Sequence, residues 1–304
     1  MELRHLRYFI AVAEEGSFIN AAERRLRTAQ PSLSRQIRDL ELEVGRKLFE
    51  RQARGVTLTE AGRVFLHHVR LALSQIEVAS EAARRADQPD RLVFVIGFLH
   101  GEEVAWLPEA LRILRQESPG TEISISSHSS PELAARLMQG KIDVALLRRE
   151  KETTGLAFKL LVKEPLVVLL PAVHRLAARK SVRPQDLARE IFVGPAQFAP
   201  VLKAVVKDYA EKTGITLQQK YEAEDIYGGM SLLASIGGFT LLPLYVQNML
   251  IPSVVARPLQ GESPTIDLVM GYNRSNTSAL LKRFVSRADE LVAEVQRQRL
   301  SESR

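Results

Sequence analysis

The stretch RTAQPSLSRQIRDLE, residues Arg27 to Glu41, sets a proline one step inside a helical pattern. Leu33, Ile37, Leu40 and Val44 step by four, three and four residues, so they share one face of an α-helix. At about 100° per residue, Arg35 and Arg38 fall on the opposite side, with Ser32 and Ser34 on the shoulders. Pro31 suits the first helical position, where no backbone N–H is needed. Asp39, Glu41 and Glu43 lie in the second half. The N-terminal end is therefore free of acid and carries the positive end of the helix dipole. Such a helix is built to set its first turns in the major groove of DNA. Gln30 would face adenine, Arg35 would fork onto guanine, and the serines would serve phosphates or base edges. An ordinary solvated helix face has the same pattern, so the neighbouring elements must decide.

Two helices precede it. Leu3, Leu6, Phe9, Ile10 and Ala13 recur at three- and four-residue steps up to Gly16. Ser17 is placed to cap a second helix carrying Phe18, Ala21, Ala22 and Leu26, its alanines small enough for a close helix crossing. After the third helix, LFERQARGVTLT reads as two short strands around Arg54-Gly55. Arg51 and Arg54 on that hairpin suit an adjacent phosphate or the minor groove. This is a winged helix-turn-helix layout over residues 1–58. Its candidate DNA contacts are Thr28, Gln30, Pro31, Ser32, Ser34, Arg35, Arg38, Arg51 and Arg54.

From Thr59 to about Ala86 one long helix follows. Phe65, Val69, Ala72, Ile76, Ala79 and Ala83 are spaced 4, 3, 4, 3 and 4, the seam of a coiled coil. The spacing predicts a dimerising helix over 59–88; the alternative is a helix lying on its own domain. DQPD, residues 87–90, reads as the linker to the remainder, 89–304.

That remainder alternates strands and helices. LVFVIG (92–97), EISISS (122–127) and IDVALL (142–147) are short apolar runs with helices between them, the mark of a parallel sheet covered on both faces. A second set starts at PLVVLLP (165–171) and continues through IFVG, a helix over 200–212, LQQKYEA, a helix over 227–236 and FTLLP. TIDLVMGY (265–272) and a final helix from about Ser278 close the chain. Two similar α/β halves joined by crossing strands imply a cleft between them.

Composition excludes several classes. The chain of 304 residues has 42 Lys and Arg against 36 Asp and Glu, a net charge of +6. That is only a mild lean towards polyanions. There is no cysteine, which removes disulfides, thiol redox sensing and cysteine nucleophiles. No apolar run approaches a membrane span, and MELRHLRYF lacks the apolar core of a secretory signal. The expected location is the cytoplasm. The chain carries no G-x-S-x-G elbow, no phosphate-binding G-x-x-x-x-G-K-[ST], no G-x-G-x-x-G and no H-E-x-x-H. An enzyme is thus disfavoured, and no cofactor or metal is expected. The two-lobed half alone would suit a solute-binding protein, against which the arginine-bearing N-terminal domain argues.

The run LRHLRYFIAVAEEGSFINAAERRL…AQPSLSRQIRDLELEVGRKLFERQARGVTLTEAG resembles the N-terminal signature of LysR-type transcriptional regulators. The likeness persists as pattern in GKIDVAL, EPLVVLLPAVHRLA and SIGGFTLLP. It implies a winged helix-turn-helix, a long dimerising linker helix and a two-lobed, periplasmic-binding-protein-like α/β effector domain. Lobe I would span about 91–161 and 265–304, and lobe II about 162–264. It further implies a regulator assembled as homodimers and homotetramers, with promoter DNA, a small-molecule effector and, for an activator, RNA polymerase as partners. The sequence departs from the pattern in two places. One extra residue falls between Ala22 and Gln30, near Arg24-Arg25, predicting a lengthened second helix or turn. The usual His-Pro-Leu-Ala is His174-Arg175-Leu176-Ala177, read as structural.

Ligands of doubly wound sheets sit beyond the C-terminal ends of parallel strands. The residues there give the candidate effector site: Leu99, His100, Gly101, Glu102, His128, Ser130, Arg148, Pro195, Gln197 and Phe198. By the resemblance, Ser130 falls where a Ser or Thr commonly contacts the ligand, and Arg148 where some aromatic-acid responders carry an arginine. Arg148, the two histidines and nearby helix N-termini point to an anionic effector, an aromatic or other carboxylate. Each has a structural counterpart. Ser130 before Pro131 can cap a helix, and Arg148 can pair with Glu102 or Glu103. Phe198 and Ile226 can pack the lobes, and His100, His128 and Glu102 lack the regular spacing of a metal site.

Overall fold

Three helices and a hairpin form in the order that the hydrophobic spacing predicts. The computed structural model describes residues 1–52, 55–86, 93–151, 153–196 and 198–302. Arg54, Gln197 and the DQPD linker lie outside the described residues. The chain divides into two units, Met1–Arg84 and Arg85–Arg304.

In the first unit, α1 (Leu3–Glu15) buries Leu6, Phe9, Ala11 and Val12 and ends at Gly16. Helix α2 (Phe18–Asn20) is capped by Ser17, whose Oγ accepts from the Asn20 N–H. The chain then runs on as a π-helical segment, Ala21–Leu26, closed by Arg27 in the left-handed region at φ 49°. A π-turn spaces its hydrogen bonds five residues apart instead of four. Such a turn holds one residue more than an α-helical one. Ala21 and Ala22, at its start, are fully buried.

Helix α3 (Gln30–Val44) starts one residue earlier than expected, so Pro31 is its second residue. That position is still within the first turn, where the N–H has no helical acceptor to miss. Strands β1 (Phe49–Gln52) and β2 (Gly55–Leu58) pair antiparallel from Phe49↔Leu58 to Gln52↔Gly55. Gly55 sits at φ +136°, and a Cβ there would stand 2.6 Å from the Gly16 carbonyl oxygen. Glycine is required here both by conformation and by space.

Helix α4 (Glu60–Ala86) divides the predicted seam. Phe65 meets Phe9 edge-on at 5.1 Å, and Phe9 meets Phe49 at the same distance. Val69 is buried in this same core, and Leu66 and Leu73 pack against it. Phe65 and Val69 are therefore core residues of their own domain and not a free dimer seam. The helix completes the hydrophobic surface that three short helices cannot cover themselves. Ala72, Ala79 and Ala83 remain exposed, with Ile76 half-buried.

The second unit is built on β3 (Val93–Leu99), α5 (Glu103–Glu117), β4 (Glu122–His128), α6 (Ser130–Met138) and β5 (Val144–Leu147). Strands β4, β3 and β5 are parallel neighbours. Next come β6 (Leu156–Pro171), α7 (Pro184–Leu187), β7 (Ile191–Pro195), α8 (Pro200–Thr213), β8 (Gln218–Ala223), α9 (Ile226–Ile236) and β9 (Thr240–Pro243). A 3-10 turn (Leu244–Met249), β10 (Val254–Pro258), β11 (Thr265–Asn273), α10 (Ala279–Ser286) and α11 (Ala288–Glu302) complete it.

The strand of 16 residues, β6, is the crossing element. Its first half pairs antiparallel with β11, and its second half with β10 and β9. The sheet is thus mixed and not purely parallel, because β11 also runs antiparallel to β5. Separate apolar clusters fill the two halves. One holds Phe94, Trp106 and Phe284, and the other Val168, Met230 and Phe239. The final helix breaks at Arg287, whose guanidinium bonds Glu290, Glu117 and Gln116. Among the described residues no helix is long and apolar enough to cross a membrane.

Candidate functional site

Two surfaces gather the predicted residues. On the first unit, Leu33, Ile37 and Leu40 of α3 are buried, while Pro31, Ser32, Arg35 and Arg38 are exposed. Thr28 and Gln30 are half-buried. Among the described residues Arg35 has no side-chain partner, so its guanidinium stands free on the outer face. Arg38 Nε reaches back to the Ser34 carbonyl at 3.4 Å. Ser34 itself corrects its prediction. It is buried, and its Oγ accepts from Gln30 Nε2 at 3.0 Å. It orients Gln30 and does not present its own hydroxyl to a groove. Arg51 lies 5.4 Å above the Phe18 ring, a cation–π contact that holds an exposed guanidinium beside α2.

The hairpin is tied to α3 by Glu41, an acid in the second half of the helix. Glu41 is buried, and its carboxylate accepts from the Leu48 N–H at 2.8 Å, the Phe49 N–H at 3.2 Å and Lys47 Nζ at 2.9 Å. Burial pushes its pKa up, but the lysine bond and the two backbone bonds outweigh that and hold it below the ordinary value. The stabilisation therefore requires the ionised form. It is complete above the usual carboxylate range and lost as pH falls through the lowered folded-state value. Glu41→Ala should cost the domain about 1–3 kcal/mol by stranding two buried N–H groups. Melting followed by circular dichroism from pH 6 to pH 3 should show a smaller acid-induced loss in this variant than in wild type.

In the second unit a cavity of about 520 Å³ lies between the two halves. Leu99, His100, Gly101, Ser130 and Arg148 line it at the strand ends of the first half, and Phe198 lines it from the other. Gly101 is held at φ +89°, where a Cβ would approach Met249 Sδ to 2.4 Å. That φ strains any residue with a Cβ, so the turn favours glycine. The Tyr245 hydroxyl donates to the His100 carbonyl at 3.1 Å, and burial raises its pKa.

Arg148 is buried, and its Nη2 bonds Glu102 at 2.9 Å and Glu164 at 2.6 Å. Glu102 is fully buried and also accepts from the Trp106 indole at 3.1 Å. Glu102 therefore does not face the cavity, and it forms a structural ion pair behind the wall. Arg148 keeps one nitrogen, Nη1, buried and without a hydrogen-bond partner. Ser130 is the first residue of α6 and not its cap; Ser129 occupies the cap position. The Ser130 hydroxyl accepts from the Arg148 N–H at 2.8 Å, which leaves its own proton to donate.

Besides Glu102, two more of the expected residues do not line the cavity. His128 pairs with Glu132 at 3.1 Å and does not line the cavity. Pro195 turns to a separate groove beside Lys203 and Lys207. His100 bonds Ser127 instead, so His100, His128 and Glu102 each hold a different partner. Gln197 lies outside the described residues. Part of the wall comes from residues beyond those expected. Glu150 lies two residues beyond Arg148, Asp225 caps α9 through the Gly228 N–H, and Tyr245 and Met249 follow β9. Following the strand ends two residues further would have reached Glu150.

Residues 3–63 match the family model described as "Bacterial regulatory helix-turn-helix protein, lysR family". Residues 87–293 match that of the "LysR substrate binding domain". The Hca operon transcriptional activator HcaR of Escherichia coli (strain K12) is 37% identical over 97% of this chain and 99% of its own length. The HTH-type transcriptional regulator AlsR of Bacillus subtilis (strain 168) is 35% identical over 94% of each chain. The crystal structure of full-length CbnR complexed with its target DNA aligns at TM-score 0.56 and 25% identity. That alignment covers 96% of this chain and 100% of CbnR.

Proposed function

Because the chain belongs to the LysR family and is a DNA-binding transcriptional regulator with an effector domain, not an enzyme, we propose how its surfaces divide that work. Helix α3 reads the promoter through Gln30, Ser32, Arg35 and Arg38, with Thr28, Pro31 and Arg51 positioning the backbone. The observation that carries this is the free, acid-less first half of α3, held in place by the buried Glu41. The inter-lobe cavity receives an anionic small molecule, a carboxylate. Arg148 Nη1 and the Ser130 hydroxyl meet its acidic group, and Phe198, Leu99 and Ile226 supply apolar wall.

Self-association runs through the exposed half of α4, at Ala72, Ile76, Ala79 and Ala83, and builds a homodimer and then a homotetramer. Effector binding shifts the balance between compact and relaxed assemblies and so changes the spacing and bend of the bound DNA. Where the regulator activates, RNA polymerase is the further partner, and its place of work is the cytoplasm. Mobility shift with the DNA upstream of the chain's own coding sequence tests the proposal.

A further inference from the structure

Two residues that line the cavity each hold a buried polar atom with no hydrogen-bond partner: Arg148 Nη1 and Glu150 Oε1. They sit two residues apart beyond β5, and both residues line the cavity. The residue between them turns elsewhere, with the Arg149 guanidinium 5.5 Å above the Phe158 ring. The two orphan atoms have opposite needs. A guanidinium only donates, and an ionised carboxylate only accepts. A bare carboxylate effector satisfies the first and leaves the second stranded whenever Glu150 is ionised.

The charge of the wall points the same way. Arg148 is already shared between Glu102 and Glu164, and Glu103, Glu224 and Asp225 also line the space. A ligand bringing negative charge alone meets a wall of net negative charge. One that also brings a donor does not leave Glu150 as a further repelling, unmet group.

We propose that Glu150 is the specificity-determining residue of the effector cavity, accepting a hydrogen bond from a hydroxyl or ammonium group that the effector carries beside its carboxylate. The effector is then a hydroxy acid or an amino acid. This assignment rests on the carboxylate cavity proposed for the effector and adds its second polar pole. Burial pushes the Glu150 carboxyl up to about 7, so the empty cavity holds it partly protonated near neutrality. A donor from the ligand draws it back to the ionised form, and binding releases a proton.

The test uses the full chain and two matched pairs: benzoate with 3-hydroxybenzoate, and 3-phenylpropanoate with phenylalanine. Affinities are read by isothermal calorimetry in phosphate and in Tris, whose different ionisation enthalpies report proton release. In wild type, the donor-bearing member of one pair should bind at least tenfold tighter than its parent and release a proton. In Glu150→Leu that advantage should fall below twofold and the proton release disappear. Glu150→Gln keeps an acceptor oxygen without charge, so it should retain a hydroxyl preference and lose an ammonium one.

Equal binding within both pairs by wild type, or an advantage that survives in Glu150→Leu, overturns the role of Glu150 and leaves the effector cavity standing. Absence of binding by all four probes up to millimolar concentration removes the carboxylate cavity and this assignment together.

Discussion

Arg35→Ala should weaken binding to the cognate promoter by about 1–3 kcal/mol, roughly 5- to 150-fold, while barely changing affinity for unrelated DNA. Arg35 is exposed on the outer face of α3, half a turn from the buried Leu33 and Ile37. Removing its side chain takes nothing from the core, so melting temperature and oligomeric state should hold. Discrimination between the promoter and a single-base variant should relax at one position. Arg51→Ala supplies the contrast. As a backbone contact it should weaken all sequences alike and lower the salt slope by about one. Quantitative mobility shifts at two salt concentrations separate the outcomes. A uniform loss in Arg35→Ala would move that residue from base contact to phosphate contact, and a loss of oligomer would place it at an interface.

Arg148→Met should damage the second unit far more. The substitution removes the guanidinium that two buried carboxylates share, and breaking such a pair from one side costs about 3–5 kcal/mol. For a unit of this size the melting temperature should fall by roughly 6–20 °C. The single tryptophan, Trp106, bonds Glu102 directly, so its fluorescence reports the transition. Adding Glu102→Gln should recover part of the loss, because one of the two desolvated charges then disappears. A melting temperature within 2 °C of wild type in Arg148→Met would show that the cluster is solvated and that no buried triad holds this part of the fold.

These two arginines show what is legible in the sequence. Arg35 can be placed from periodicity, because the burial of Leu33, Ile37 and Leu40 fixes the rotation of the whole helix. Ser34 lies close enough to that apolar stripe to be buried, which a wheel with a 100° step cannot decide. Glu41 is one of three acids in the second half of the helix, and nothing in their types separates it from Asp39 and Glu43. Its donors are backbone N–H groups of residues 48 and 49, which carry no mark in side-chain chemistry.

In the second unit, the strand-end rule finds one side of the cavity, since β3, β4 and β5 are parallel. The sequence leaves Arg148 to pair with Glu102 or to face a ligand; it does the first, and its Nη1 has no hydrogen-bond partner. Its other partner, Glu164, lies in the first half of β6, where LAFKLLVKE mixes polar and apolar residues and reads poorly as a strand. That same strand sets the lobes' connection. The alternate halves of the seam on α4 are also indistinguishable by spacing alone. Only the packing of Phe65 on Phe9 separates a core residue from one left exposed.

If α3 delivers sequence-specific recognition and a carboxylate in the inter-lobe cavity adjusts it, one titration exposes both. Mobility shift of the full chain is followed on the DNA upstream of its own coding sequence, against shuffled DNA of equal length. It is run with and without 3-hydroxybenzoate and phenylalanine at two salt concentrations. Binding to the upstream DNA should be salt-sensitive and at least about 1,000-fold tighter than to the shuffled DNA, and the complex should change when one of the acids is present. Equal affinity for both DNAs, or an identical complex with and without the acids, would contradict this division of work between α3 and the cavity.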